Sequence, residues 1–166
     1  MKELRGAFLT KGAAIAALYV VLTLIANTFG LANYAIQVRF SEALTILPFF
    51  TPVAVPGLFV GCIISNILTG AMPLDVIFGS IATLIGAVFT YYLGKMFPKK
   101  QWLAPIPPIL SNTIIVPFIL SYVYQFEGSI PYFMLTVGIG EIISCGILGM
   151  ILINIFNKYF YIFFRN

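Results

Sequence analysis

One acidic side chain lies in the middle of a long apolar segment near the C-terminus. Glu141 carries the single charge of residues 128–157. A carboxylate near the centre of a membrane helix costs about 2.5–3.5 kcal/mol on insertion scales. Such acids usually pair with another group, line a cavity or hold a ligand. We expect Glu141 to bind a ligand; the alternative is a glutamate that only joins two helices by hydrogen bonds.

Three further acids fall in the same half of the predicted protein as Glu141. They are Glu42, Asp75 and Glu127, and the same half contains one base, Arg39. Asp75 opens a predicted helix, where an acid also complements the helix dipole. Glu42 follows Arg39 by three residues, so an i, i+3 ion pair is its structural alternative. Glu127 is predicted to be a solvated loop charge. Four acids and one base predict a site that prefers a cation.

Polar and small residues accompany these acids on neighbouring helices. Gly138, Glu141 and Cys145 share one helical stripe, and small residues allow a neighbouring helix to approach closely. This stripe is therefore expected to face protein. Asn112 and Tyr122 add polar groups to the preceding helix, and we predict both as ligand contacts. The alternatives are an interhelical hydrogen bond for Asn112 and an interfacial aromatic anchor for Tyr122.

The composition is that of an integral membrane protein. The 166 residues are 61% hydrophobic and 8% charged, with a mean hydropathy of +1.05, whereas soluble domains carry about 25% charged residues. We predict a single membrane domain over residues 1–166, with no soluble catalytic domain. The chain has no histidine, and its two cysteines stand alone in apolar runs. We therefore expect no metal site, no cofactor and no enzymatic activity.

Uncharged runs and prolines predict the membrane topology. Six helices are expected, at about 10–29, 36–50, 53–69, 74–95, 103–125 and 131–158. Proline disfavours helix continuation, so Pro48, Pro52 and Pro56 divide the longest run. Six spans place eight of the nine lysines and arginines on one side, which is the cytoplasm by the positive-inside rule. We predict an all-α six-helix bundle with both termini cytoplasmic. The net charge of +4 is then a signal of topology and not of nucleic-acid binding.

Three segments carry a family resemblance. Residues 37–48 (QVRFSEALTILP), 56–62 (PGLFVGC) and 75–84 (DVIFGSIATL) resemble the QueT family of energy-coupling factor (ECF) transporter S components. The resemblance implies that the chain, in the cell membrane, captures queuosine precursors such as 7-aminomethyl-7-deazaguanine from outside. It also implies a transmembrane T component and two ATPase subunits as partners. The chain has no Gly-x-x-x-x-Gly-Lys-[Ser/Thr] phosphate loop, so it would need partners for ATP hydrolysis.

The small residues of the first helix agree with such a partnership. Ala13 and Ala17 are spaced i, i+4 and would let a helix of the T component pack closely. A deazaguanine also suits the acids, because it offers N–H donors and an ammonium group. Candidate stacking residues are Tyr34, Phe78, Tyr122 and Tyr124. The open alternatives are an S component for another vitamin-sized substrate, a self-contained cation- or proton-coupled carrier, and a structural membrane subunit.

Overall fold

The computed structural model describes residues 2–30 and 38–163, with side chains for 6–30 and 38–158. All regular structure in these ranges is helical. Six α-helices are present: α1 Lys2–Thr28, α2 Ala54–Leu68, α3 Pro73–Met96, α4 Ile106–Phe118, α5 Ile130–Glu141 and α6 Gly149–Phe163. Two 3₁₀ segments, Phe40–Phe49 and Gln101–Leu103, precede α2 and α4. Two π-helical segments follow, Ile119–Val123 extending α4 and Ile142–Leu148 joining α5 to α6.

Four helical stretches of the described chain are long and apolar enough to cross a membrane. They are Gly6–Thr28, Pro73–Met96, Gln101–Val123 and Ile130–Lys158. Phe40–Phe49 and Ala54–Leu68 are apolar but shorter. Ten residues of 3₁₀ helix extend about 20 Å, less than the hydrocarbon thickness of about 30 Å. All six predicted segments are therefore helical, and two of them are shorter than an independent span.

The second predicted helix differs in type from the expectation. An α-helix is predicted over 36–50, whereas the structure shows a 3₁₀ segment from Phe40 to Phe49 after extended backbone at Arg39; residues 36 and 37 lie outside the described ranges. Pro48 lacks an N–H, and the Thr45 hydroxyl donates to the Glu42 carbonyl at 2.6 Å. Both features weaken an α-helical hydrogen-bond ladder. Tertiary packing fixes the segment, because every residue from Ser41 to Phe49 is buried.

This 3₁₀ segment is the centre of the bundle. It contacts α1, α2, α3, α6 and the π-helical segment before α6. Its apolar residues join the main core, which contains Tyr19, Leu44, Ile46, Leu58, Cys62 and Ile153. The position at the centre gives Glu42 its burial, with 1% of the side chain exposed.

Glycines bring α1 and α2 into close contact. A Cβ atom at Gly57 would lie 2.8 Å from the carbonyl oxygen of Gly12, and one at Gly61 would lie 2.9 Å from Tyr19 Cβ. Real Cβ atoms do not approach so closely, so only glycine fits at this distance. The contacts pair early α1 with early α2, so the two helices run parallel. The 3₁₀ segment, which connects α1 to α2 in the sequence, runs in the opposite direction to both helices.

The outer surface of the bundle is apolar. Ile77, Ile81, Ile85 and Phe89 follow one another at intervals of four residues along α3, and each is exposed. The buried face of the same helix carries the small or polar residues Gly79, Ala82, Thr83 and Gly86. This distribution is the reverse of that in a soluble helix. It matches a helix whose outer face contacts lipid.

Candidate functional site

A polar cavity opens at the end of the bundle where α1 and α2 end and α3 begins. It has a volume of about 190 Å³. It is lined by Thr23, Asn27, Arg39, Asn66, Thr69, Ala71, Asp75, Leu120, Tyr124 and Phe126. Most of these groups can donate or accept hydrogen bonds, so this cavity suits a polar ligand.

Asp75 and Tyr124 form one side of the polar cavity. Asp75 lies in the first turn of α3, and its Oδ2 accepts a hydrogen bond of 2.8 Å from the Tyr124 hydroxyl. That hydroxyl also accepts a 3.3 Å bond from the backbone N–H of Met72. Burial, together with the hydrogen bond and the charge of Asp75, raises the pKa of Tyr124 above its ordinary value. Tyr124 is therefore a neutral donor that fixes the carboxylate at the mouth of the cavity.

Arg39 lies between the polar cavity and a second, deeper pocket. Its backbone N–H donates to Ser144 Oγ at 3.1 Å, which ties the start of the 3₁₀ segment to the π-helical segment. Burial lowers the pKa of its guanidinium, but the charges of Asp75 and Glu42 outweigh burial and raise that pKa. Arg39 is thus the cation that the surrounding acids stabilise.

The deeper pocket, which we call the acid pocket, is small and holds two carboxylates. Its volume is about 10 Å³. The lining residues are Arg39, Glu42, Gly79, Thr83, Asn112, Val116, Val137 and Glu141. A volume of this size holds about one water-sized group.

Each carboxylate of the acid pocket has its own hydrogen-bond donors. Glu141 Oε1 accepts from Asn112 Nδ2 at 2.9 Å, and its Oε2 accepts from Cys145 Sγ at 3.1 Å. Glu42 Oε1 accepts a hydrogen bond from the Tyr19 hydroxyl. The second oxygen, Glu42 Oε2, is buried and has no donor among the described residues.

Glu42 and Glu141 are close enough to repel each other strongly. One carboxylate oxygen from each, and the Cys145 sulfur, lie within 4.8 Å of one another. Two negative charges at that separation repel by about 3 kcal/mol at an effective dielectric constant of about 20. A proton or a cation between them would relieve this repulsion.

The same three residues have the spacing of metal ligands. The hydrogen bonds favour a different use, because the single S–H of Cys145 has two acceptors within reach, Glu141 Oε2 at 3.1 Å and the Glu42 carbonyl at 3.4 Å. These bonds need the protonated thiol, whereas a metal binds the thiolate. The arrangement therefore suits a cation that carries its own N–H donors better than a bare metal ion.

Comparison with known proteins identifies the family. The model of the QueT transporter family matches residues 9–158. This chain belongs to the QueT transporter family. The resemblance predicted from the sequence is thus confirmed.

One curated relative agrees with this assignment. The queuosine precursor transporter QueT of Lactococcus lactis subsp. cremoris (strain MG1363) is 38% identical over 73 residues. The matched region is 44% of this chain and 43% of that protein, so it spans less than half the length of the relative. No solved structure matches the chain.

The structure brings four of the five predicted site residues of this QueT-family protein together. Glu42, Asn112 and Glu141 line the acid pocket, and Asp75 lines the adjoining polar cavity. The fifth, Tyr122, is 69% exposed and lines an apolar groove between α3 and the end of α4. The alternative that the sequence allowed for Tyr122, an anchor at the membrane interface, fits this position better.

The other predicted residues are placed as follows. Phe78 is half exposed on the apolar groove, away from both polar cavities, and Tyr34 lies outside the described ranges. Glu127 is exposed, as expected for a solvated loop charge. Ala13 and Ala17 are exposed on α1, whereas Ala16 on the adjoining face is buried against α2.

Several residues that line the polar cavity were not predicted from the sequence, and Tyr124 was predicted only as a candidate stacking residue. Tyr124 takes the position expected for Tyr122, and a signal for it exists, because Asn112, Val116, Leu120 and Tyr124 recur at intervals of four. Steps of four drift around an α-helix, and the π-helical segment Ile119–Val123 has a wider turn that corrects the drift. Polar residues in apolar helices could also have identified Thr23, Asn27, Asn66 and Thr69.

Proposed function

We propose that this QueT-family chain is the substrate-binding S component of an ECF-type importer. It captures a queuosine precursor, 7-aminomethyl-7-deazaguanine or a related deazaguanine, from outside the cell for ATP-driven uptake. The observation that supports this most directly is the polar cavity, which continues at Arg39 into a pocket with two buried carboxylates.

The chemistry of a deazaguanine matches the lining groups. Its ring N–H and exocyclic amine are donors, and carboxylates accept such pairs of donors strongly. Asp75 supplies a carboxylate and Asn66 an amide at the wall of the polar cavity, and Glu141 supplies a second carboxylate in the adjoining acid pocket. Tyr124 and Phe126 lie beside the cavity with ring centroids 5.6 Å apart, so they can cover a flat base.

The charge distribution supports an outward-facing cavity. α3 carries Asp75 in its first turn, at the cavity, and Lys95 in its last turn, at the opposite end of the bundle. Lys99 and Lys100 follow Lys95 at that opposite end. By the positive-inside rule this basic end is cytoplasmic and the cavity faces outside. The proposed topology has six membrane-embedded helices with both termini in the cytoplasm of a cell-membrane protein.

The exposed small residues of α1 support a partner helix. Ala13 and Ala17 present no large side chain, so a helix can lie directly against the α1 backbone. We assign this face to the T component, which acts with two ATPase subunits. The S component then binds and releases the ligand unchanged, so it performs no catalysis and needs no cofactor.

A ligand panel tests the proposal. Purified chain in detergent is heated with deazaguanines, guanine, thiamine, riboflavin and biotin, and its unfolding temperature is measured. Deazaguanines are expected to raise that temperature, since a ligand that binds the folded state stabilises it by mass action. Stabilisation by a vitamin and not by deazaguanines would refute the substrate. Uptake that continues after the ATPase subunits are inactivated would refute the S-component role.

A further inference from the structure

The acid pocket contains one hydrogen-bonding position that the protein leaves open. Glu42 is 1% exposed, and its Oε2 is buried without a donor among the described residues. Buried polar atoms in folded proteins are nearly always hydrogen-bonded. An unpaired carboxylate oxygen that lines a pocket therefore indicates a donor supplied by a ligand.

The hydrogen bonds given by the neighbouring side chains end on other oxygen atoms of the two acids. Tyr19 donates to the other oxygen of Glu42, and Asn112 and Cys145 donate to the two oxygens of Glu141. Apart from Arg39, the described residues lining the pocket carry no positive charge. None of the described residues donates a hydrogen bond to Glu42 Oε2, so a ligand can supply this donor, and a positively charged one would also relieve the repulsion between the two acids.

The volume limits what can enter. The acid pocket has room for about one water-sized group, which is the size of a primary ammonium head. A bicyclic base is too large for it, whereas the polar cavity of about 190 Å³ is the larger compartment. Both spaces are bordered by Arg39, so one ligand can reach from the polar cavity into the acid pocket.

We propose that the acid pocket binds the primary ammonium group of the ligand between Glu42 and Glu141, with the ring in the polar cavity beside Asp75 and Tyr124. This assignment rests on the proposed function and adds the orientation of the ligand. It makes Glu42 the residue that selects aminomethyl ligands over neutral relatives. Asp75 instead holds the part that all deazaguanines share.

The test compares two ligands on four proteins. The aminomethyl deazaguanine and its 7-methyl analogue, which lacks the amine, are titrated against wild type, Glu42→Gln, Asp75→Asn and the exposed control Glu127→Gln. Wild type and the control are expected to prefer the amine by at least about tenfold, the typical effect of one charge-assisted hydrogen bond. Glu42→Gln should lose that preference and keep its affinity for the methyl analogue. Asp75→Asn should weaken both ligands and keep the preference.

A ligand-side measurement covers the case in which Glu42→Gln does not fold. The N-acetylated aminomethyl ligand is neutral and larger than the pocket, so wild type should bind it more weakly than the methyl analogue. Equal binding of the acetylated and parent ligands would overturn the assignment. A preference that survives in Glu42→Gln but disappears in Asp75→Asn would also overturn it.

A third measurement tests whether a simple inorganic cation binds in the acid pocket. Sodium or ammonium chloride at matched ionic strength should leave the unfolding temperature of wild type and Glu42→Gln equally unaffected. Selective stabilisation of wild type would assign the pocket to an inorganic cation and overturn the ligand assignment. If wild type binds neither deazaguanine, the proposed function fails. If it binds both equally, only this inference fails.

Discussion

Replacing Glu141 with glutamine tests the buried acid while preserving its shape. The amide oxygen of the introduced glutamine can still accept from Asn112, as Glu141 Oε1 does at 2.9 Å. The new NH₂ group then faces the Cys145 sulfur. This sulfur can accept a hydrogen bond from the NH₂ group, because its own S–H can still donate to the Glu42 carbonyl oxygen at 3.4 Å. We therefore expect Glu141→Gln to fold.

Ligand binding should respond much more strongly than folding. Glu141 is 8% exposed, so its charge acts in a poorly solvated pocket. Loss of one charge-assisted hydrogen bond costs about 1.5–3 kcal/mol, which corresponds to roughly 10- to 150-fold weaker binding. The assay is a binding titration with the aminomethyl deazaguanine in detergent, with folding checked by size-exclusion chromatography. Glu127→Gln, which removes an exposed charge, should bind like wild type.

One result would refute this reasoning. A Glu141→Gln protein that elutes as a single folded species and binds with wild-type affinity would remove Glu141 from the ligand site. The role of this acid would then be structural: the hydrogen bond from Asn112 would join α4 to α5, and the bond from Cys145 would lie within the same helical stretch as Glu141.

The helix surfaces and the topology lead to three further predictions. Ala13→Trp or Ala17→Trp should reduce assembly with the T component and uptake while leaving ligand binding by the isolated chain intact; unchanged assembly in a pull-down would assign another face. Gly61→Ala should destabilise the fold by about 1–3 kcal/mol through overpacking against Tyr19, seen as a lower unfolding temperature, whereas Gly6→Ala, with nothing within 4 Å, should not. In intact cells an impermeant maleimide should label Glu127→Cys and not Lys99→Cys; the reverse pattern would invert the topology.

The helices were largely predictable because their signals are local. Uncharged runs and the prolines at 48, 52 and 56 indicated six segments whose bounds agree with the structure to within a few residues, apart from the earlier start of α1 at Lys2 and the later end of α6 at Phe163. The 3₁₀ geometry of Phe40–Phe49 was not predictable in the same way. It depends on burial against five neighbouring elements, and no pattern within ten residues records such packing.

The acidic residues of the site were predictable from the sequence, but their hydrogen-bond partners were not. Acids in apolar helices identified Glu42, Asp75 and Glu141, since the cost of burying them implies a use. The partners of these acids are distant in sequence: Tyr19 precedes Glu42 by 23 residues, and Tyr124 follows Asp75 by 49. The choice between Tyr122 and Tyr124 depended on a π-helical turn. A single wide turn changes which side chain faces inward, and sequence periodicity assumes a uniform helix.

The central 3₁₀ segment also has a consequence for how the chain is made. Phe40–Phe49 leaves the ribosome early, but it is too short to rest in lipid as a span of its own. Several contacts at this segment involve residues synthesised about a hundred positions later: Arg39 with Ser144, and Thr45 with Cys145. The lining of the acid pocket is also completed late in biosynthesis, because Val137 and Glu141 belong to α5. A nascent chain that ends before Ile130 already contains Glu42 and Asn112 but lacks these two residues, which close the pocket around Glu42.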